Sequence, residues 1–169
     1  QATQLRQSQQ AEFTRRYGNP RRWGSAADFF MICNPQGEMM ACAGVEVDRL
    51  RDSGNASVDQ PVSAPVMSNL AVSRSYRRLG LAEDVVRAVE EHCRVQWGYD
   101  EVYLYVEERN RGAVRLYQKM GYKSTWKDSE ATTLLPSRAG GLQQASTTLV
   151  CMRKPLRGGL GLFGGLFGG

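Results

Sequence analysis

Residues 72–82 read Val-Ser-Arg-Ser-Tyr-Arg-Arg-Leu-Gly-Leu-Ala and join two runs of different periodicity. Upstream, residues 64–72 are apolar and partly β-branched over the length of a strand. Downstream, Ala82, Val85, Val86, Val89 and Cys93 recur at helical spacing, and Glu83, Asp84, Arg87, Glu90, Glu91 and Arg94 fill the opposite face. A helix that starts at such a turn aims unpaired backbone amides and the positive end of its dipole at the loop. Gly80 has no Cβ and Ala82 adds only a methyl, so an anion can approach the backbone closely. The forks of Arg77 and Arg78 match phosphate oxygens. An ordinary solvated turn fits the same residues, and R-x-x-G-x-A in isolation does not separate the two.

A second strand and helix follow at once. Val102, Leu104 and Val106 alternate with Tyr103 and Tyr105, so the strand is apolar or aromatic on both faces, as expected where helices cover each side. Asn110 stands where a helix needs its N-cap, Ala113, Leu116, Tyr117 and Met120 form a stripe, and Gly121 suits the position just past the helix end. Residues 29–33 read as a strand, Asn34-Pro35-Gln36-Gly37 as a tight turn, and residues 39–47 as its hairpin partner. Residues 49–63 read as a flexible loop, 128–145 as a polar Gly/Ser-rich stretch, and 147–152 as a last strand. Residues 1–18 are glutamine-rich, with Leu5, Ala11, Phe13 and Tyr17 as inward positions of one helix. The expected class is α/β, or mixed α+β: a central, heavily twisted mixed β-sheet flanked by helices.

The segment SNLAVSRSYRRLGLAEDVV, followed by YLYVEERNRGAVRLYQKMGYK, closely resembles the two central motifs of the GNAT superfamily of N-acetyltransferases. The family's first motif, [Q/R]-x-x-G-x-[G/A], falls on Arg77, Gly80 and Ala82; the second falls on Asn110, Ala113, Tyr117, Gly121 and Tyr122. The resemblance is sharp over residues 65–127 and implies a GNAT fold over residues 1–157, although the family's first strand is not visible. It implies that acetyl-CoA is the cosubstrate and a primary amine the acceptor. By that resemblance the loop of Arg77, Arg78, Gly80, Leu81 and Ala82 holds the coenzyme pyrophosphate. Backbone groups of Leu70 and Val72 pair with the pantetheine arm like an added strand, one of their amides polarises the thioester carbonyl, and Asn110 contacts the arm. Tyr117 matches the tyrosine whose hydroxyl protonates the leaving thiolate, while by spacing alone it fits the helix's core stripe.

Amine acetylation also needs a route for the acceptor's proton. Glu46 on the hairpin strand is the leading base, with Glu107 and Glu108 as alternatives; each also fits a solvated carboxylate. His92, the one histidine, lies on the helix after the phosphate turn and reads as core or surface. No H-E-x-x-H, nucleophile-elbow or P-loop pattern is present, so zinc hydrolase, serine hydrolase and P-loop readings lapse.

The chain has 169 residues, 41% of them hydrophobic and 23% charged, with no run of the length a membrane span requires. These values suit one soluble domain. The net charge of +5 is concentrated in Arg6, Arg15, Arg16, Arg21 and Arg22, either a docking patch or a solvated face, with no nucleic-acid motif beside it. Cys33, Cys42, Cys93 and Cys151 lie in or beside apolar runs with no C-x-x-C pair, so buried reduced thiols are expected and no metal is. Asn55-Ala56-Ser57 is a formal glycosylation acceptor with no other sign of secretion. The sequence opens at Gln1 with no hydrophobic targeting segment, and it is similar to plastid acetyltransferases of plants and algae, so a removed transit peptide and a plastid location fit. Residues 158–169 form a Gly/Leu/Phe-rich tail. Its Leu162, Phe163, Leu166 and Phe167 suggest insertion into a protein partner or a membrane-bound complex, or packing on the chain's own surface. Two functions therefore stand: an active N-acetyltransferase, and a catalytically silent GNAT-fold subunit docked through the tail and the basic start.

Overall fold

A tight turn sets the first two strands against each other. Asn34 Oδ1 accepts the amides of Gln36 at 3.0 Å and Glu38 at 2.9 Å, and Gly37 takes the left-handed φ of 82° that the turn demands. The computed structural model describes residues 26–50, 62–136 and 141–156. Strands β1 (Ala27–Cys33) and β2 (Met39–Leu50) flank that turn, and β3 (Val62–Val72) pairs antiparallel with β2. Helix α1 (Leu81–Val95) carries the chain to β4 (Glu101–Glu107), and α2 (Arg111–Lys119) carries it to β5 (Lys123–Asp128). A two-stranded hairpin, β6 (Thr132–Pro136) and β7 (Leu142–Ser146), precedes β8 (Leu149–Pro155). The main sheet runs β1-β2-β3-β4-β8-β5, mixed, with β3 and β4 parallel.

Both helical connections step across the sheet in the same direction, and right-handed crossovers then place both helices on one face. One register row on that face reads Val45, Met67, Leu104 and Met152. These four pack with Val85, Val86, Val89 and Cys93 of α1 and Tyr117 of α2 in a single core. The next row, Glu46, Val66, Tyr103 and Arg153, points to the opposite face, where Leu50, Ala64 and Val66 make a smaller cluster against Tyr103. Among the described residues, helices cover one face of β4 and not both, and Tyr105 on the other face is 38% exposed.

Several expectations change. The loop placed at 49–63 is shorter, because Leu50 is buried beside Ala64 and Val66 and the ladder continues to the Leu50–Val62 pair. The polar stretch at 128–145 contains the β6–β7 hairpin, whose Thr132-Thr133-Leu134-Leu135 run is strand-forming despite its polar surroundings. The last strand begins at Leu149 and extends to Pro155, since Arg153 and Lys154 find Glu101 at 3.2 Å and Glu90 at 2.6 Å. Cys42, Cys93 and Cys151 are buried, but Cys33, at the end of edge strand β1, is exposed. His92 Nε2 lies 2.7 Å from Asp28 Oδ2, with the Phe30 and Trp97 rings edge-on to it. The helix expected at 1–18, the basic start, Asn55 and the tail at 158–169 lie outside the described residues. No helix among the described residues is long and apolar enough to cross a membrane.

Candidate functional site

The parallel strands β3 and β4 pair only at Val66–Tyr103 and Met67–Leu104, and then part. A bulge causes the divergence: Ala71 and Ser68 of β3 oppose Cys42 and Gly44, so two residues, Asn69 and Leu70, share one position across from Ala43. Asn69 takes the left-handed φ of 56° that this needs, and asparagine is among the few side chains that tolerate it. β3 stays paired to β2 as far as Val72, so its other edge at residues 70–72 has no strand beside it.

The chain then turns sharply. Ser73 N donates to Met40 O at 2.8 Å, a 3-10 turn spans Arg74–Tyr76, and Arg77 Nε donates to Val72 O at 3.4 Å. Gly80 is the N-cap of α1 at φ 83°, and no side chain caps the helix. The amides of Glu83 and Asp84 turn back to Gly80 O at 2.8 and 3.1 Å, which leaves those of Leu81 and Ala82 at the open helix start. Across the opening, Asn110 Oδ1 accepts Ala113 N at 3.2 Å and fixes the first turn of α2.

Together these parts wall a groove of about 640 Å³. Leu70, Val72, Arg77, Arg78, Gly80, Leu81, Ala82 and Asn110, all singled out from the sequence, line it. Tyr76 and Glu83 line it as well, and sequence spacing did not mark them. Glu83 is a carboxylate where an anion is expected, but Lys119 Nζ lies 2.5 Å from its Oε1 and that hydrogen bond holds its pKa below the ordinary carboxylate value. With that charge answered, the helix start and the two arginines set a positive field.

The catalytic candidates stand apart from the groove wall. Tyr117 is 7% exposed, one position along from the groove-lining Leu116, with its ring edge-on to Tyr122 at 5.5 Å between centroids. Burial pushes its phenol up to about 12. Glu46 shares the face opposite the helices with Val66 and Tyr103, separated from β4 by the whole of β3. Glu107, at the end of β4, is bound by Arg109 at 2.6 Å, which lowers its pKa, and Glu108 pairs with Lys127.

An open strand edge, an uncapped helix start and a capped second helix surround one groove. The acetyltransferase (GNAT) family model matches residues 2–122, which include both halves of that groove. The chain belongs to the GNAT acetyltransferase family. Among curated relatives, this GNAT chain is 40% identical over 57 residues to "GCN5-related N-acetyltransferase 6, chloroplastic" of Arabidopsis thaliana, covering 34% of this chain and 19% of that protein. It is 31% identical over 97 residues to the uncharacterized N-acetyltransferase YdgE of Bacillus subtilis, covering 57% and 55%. The chain spans between 19% and 55% of the length of the curated relatives it matches. The fold aligns with Naa20 of Chaetomium thermophilum, solved with a bisubstrate analogue, at TM-score 0.59 and 18% identity over 75% of this chain and 65% of that one. A spermidine N-acetyltransferase of Vibrio cholerae, solved with CoA and spermine, aligns at TM-score 0.58 and 13% identity over 88% and 75%. At these identities the structures share the GNAT fold with this chain.

Proposed function

We propose that the chain is an acetyl-CoA-dependent N-acetyltransferase that moves an acetyl group directly to a primary amine: a protein N-terminus, a lysine side chain or a small amine. The observation that carries the reading is the groove in which the free edge at residues 70–72 meets the uncapped start of α1. The edge of β3 takes the pantetheine arm as an added strand and aims a backbone amide at the thioester carbonyl. Leu81 and Ala82 amides, with Arg77 and Arg78, hold the pyrophosphate. Tyr117 keeps its proton at neutral pH and gives it to the departing thiolate after a small rotation of α2 or of its ring toward the groove. Glu46 accepts the amine's proton through water from the opposite face. A relative described as an N-alpha-acetyltransferase and a neighbour described as a spermidine N-acetyltransferase, solved with CoA and spermine, support amine acceptors as a class. We further propose a plastid location, the compartment printed for the relative from Arabidopsis thaliana.

Calorimetric titration with acetyl-CoA tests the reading. Saturable binding, weakened by Gly80→Glu and by Arg77→Ala, is expected, and a chain that binds no acetyl-CoA ends it. A panel of peptides with different N-termini and of polyamines then assigns the acceptor. The placement of Tyr117 behind the groove wall favours a second reading, a GNAT-fold subunit that binds coenzyme without turnover, docked to a partner through residues 158–169. Coenzyme binding with no transfer to any acceptor, together with loss of partner association on deletion of 158–169, would select it.

A further inference from the structure

Within the segment between β3 and α1, Tyr76 N donates to Ser73 O at 2.9 Å and Arg77 Nε to Val72 O at 3.4 Å. Arg78 is a non-glycine residue at φ 67° and Gly80 follows at φ 83°, while Leu79 between them is 64% exposed. A segment with this backbone persists only where its surroundings fix it. Two ties join it to the β1–β2 hairpin. One is the Ser73 amide on Met40 O at 2.8 Å. The other is Tyr76, which lines the groove and whose hydroxyl reaches the hairpin turn.

That turn is built to receive it. Asn34 Nδ2 donates to Tyr76 Oη at 3.2 Å and to Glu38 Oε2 at 2.7 Å, and the Tyr76 hydroxyl donates to Glu38 Oε2 at 3.3 Å. Asn34 Oδ1 is taken by the amides of Gln36 and Glu38, so every hydrogen-bonding position of the Asn34 side chain is used. The backbone closes the same turn, with Asn34 N on Glu38 O at 3.0 Å and Gly37 N on Asn34 O at 2.9 Å. A fully committed asparagine in a closed turn is a rigid post, and Tyr76 is tied to it across 42 positions of sequence.

We propose that Tyr76 is a positioning residue of the coenzyme site: through Asn34 and Glu38 it locks the phosphate-binding loop in the geometry that a pyrophosphate requires. The inference rests on the acetyl-CoA reading given above. A loop held in its bound shape beforehand gives up less freedom on binding, so the hydroxyl's hydrogen bonds contribute affinity for the phosphate half of the coenzyme through the loop. The pantetheine half, bound by the edge of β3, does not depend on the clamp.

Two ligands separate the halves: CoA, and S-acetyl-pantetheine, which has the arm and no phosphates. Tyr76→Phe keeps the ring and removes the hydroxyl. It is expected to raise the CoA dissociation constant about tenfold, the scale of one hydrogen bond in a charged site, and to leave that of S-acetyl-pantetheine within about twofold. Asn34→Ala is expected to do the same, and the double variant to be no weaker than the worse single one. Glu38→Gln keeps an acceptor for the hydroxyl and is expected to bind CoA nearly as the unaltered chain does. Unchanged CoA affinity in Tyr76→Phe overturns the clamp, as does equal weakening of both ligands. If Asn34→Ala fails to fold by circular dichroism, the Tyr76→Phe titrations decide alone. An unaltered chain that binds neither ligand takes down the coenzyme reading itself, whereas normal binding by both the unaltered chain and Tyr76→Phe takes down only the clamp.

Discussion

Tyr117 carries its proton at neutral pH as a phenol ordinarily does, burial widens that margin by raising it to about 12, and a protonated group can act as an acid but not as a base. Tyr117→Phe is expected to slow single-turnover acetyl transfer by about a hundredfold while the acetyl-CoA dissociation constant holds, measured by rapid quench and calorimetry. Equal rates would make the residue a packing group only. Gly80 poses a different question, since nothing lies within 4 Å of where its Cβ would stand. Gly80→Ala should therefore cost only the backbone penalty at φ 83°, about 1 kcal/mol, seen as a lowered melting temperature. A loss of several kcal/mol would mean that the loop is packed more tightly than the open space around it implies.

At the scale of elements, α2 depends on one side chain at its start. Asn110→Ala should destabilise the chain by about 1 kcal/mol, and Asn110→Asp should keep the cap and the stability. Because Asn110 also lines the groove, the aspartate is expected to weaken acetyl-CoA binding through its charge, so calorimetry and thermal melts should disagree about it. These two helices were legible from sequence because their signals are local: Gly80 and Asn110 mark the starts, and Val85, Val86, Val89, Leu116 and Tyr117 carry the spacing. The β6–β7 hairpin was not, since Gln143, Gln144 and Ser146 hide a strand whose pairing is decided by its partner. The groove residues from Leu70 to Ala82 lie in one continuous stretch and were legible as a group, whereas Asn110 and Leu116 join them from the second helix. The relation of Tyr117 and Glu46 to the groove depends on which sheet face each occupies and how helix and sheet meet, which no single segment encodes.

The whole molecule is tied across its core by the pair of Lys154 and Glu90, 2.6 Å apart with side chains 20% and 11% exposed. Lys154→Met leaves Glu90 a nearly buried charge without its cation and should cost about 3 kcal/mol by urea denaturation, most of it recovered on adding Glu90→Leu. Alkaline pH acts on the core as a body. Burial raises Cys93 from 9.0 to about 12 and Tyr117 from 10.0 to about 12, and moves Tyr122 upward as well. A folded state that holds protons more tightly than the unfolded one is stabilised below the unfolded values and loses that advantage as pH rises. The urea midpoint should therefore be level between neutrality and pH 9.0 and fall through the interval to about 12, with the tyrosinate absorbance of Tyr117 appearing only as the chain unfolds. The parting of β3 from β4 after Met67 carries one more consequence, for solvent exchange. Amide hydrogens that face the open edge at residues 70–72 trade with water until something pairs with them, so their deuterium uptake is a clock that the ligand stops. Occupancy of the seam can be read from that clock alone, on a chain that never turns over.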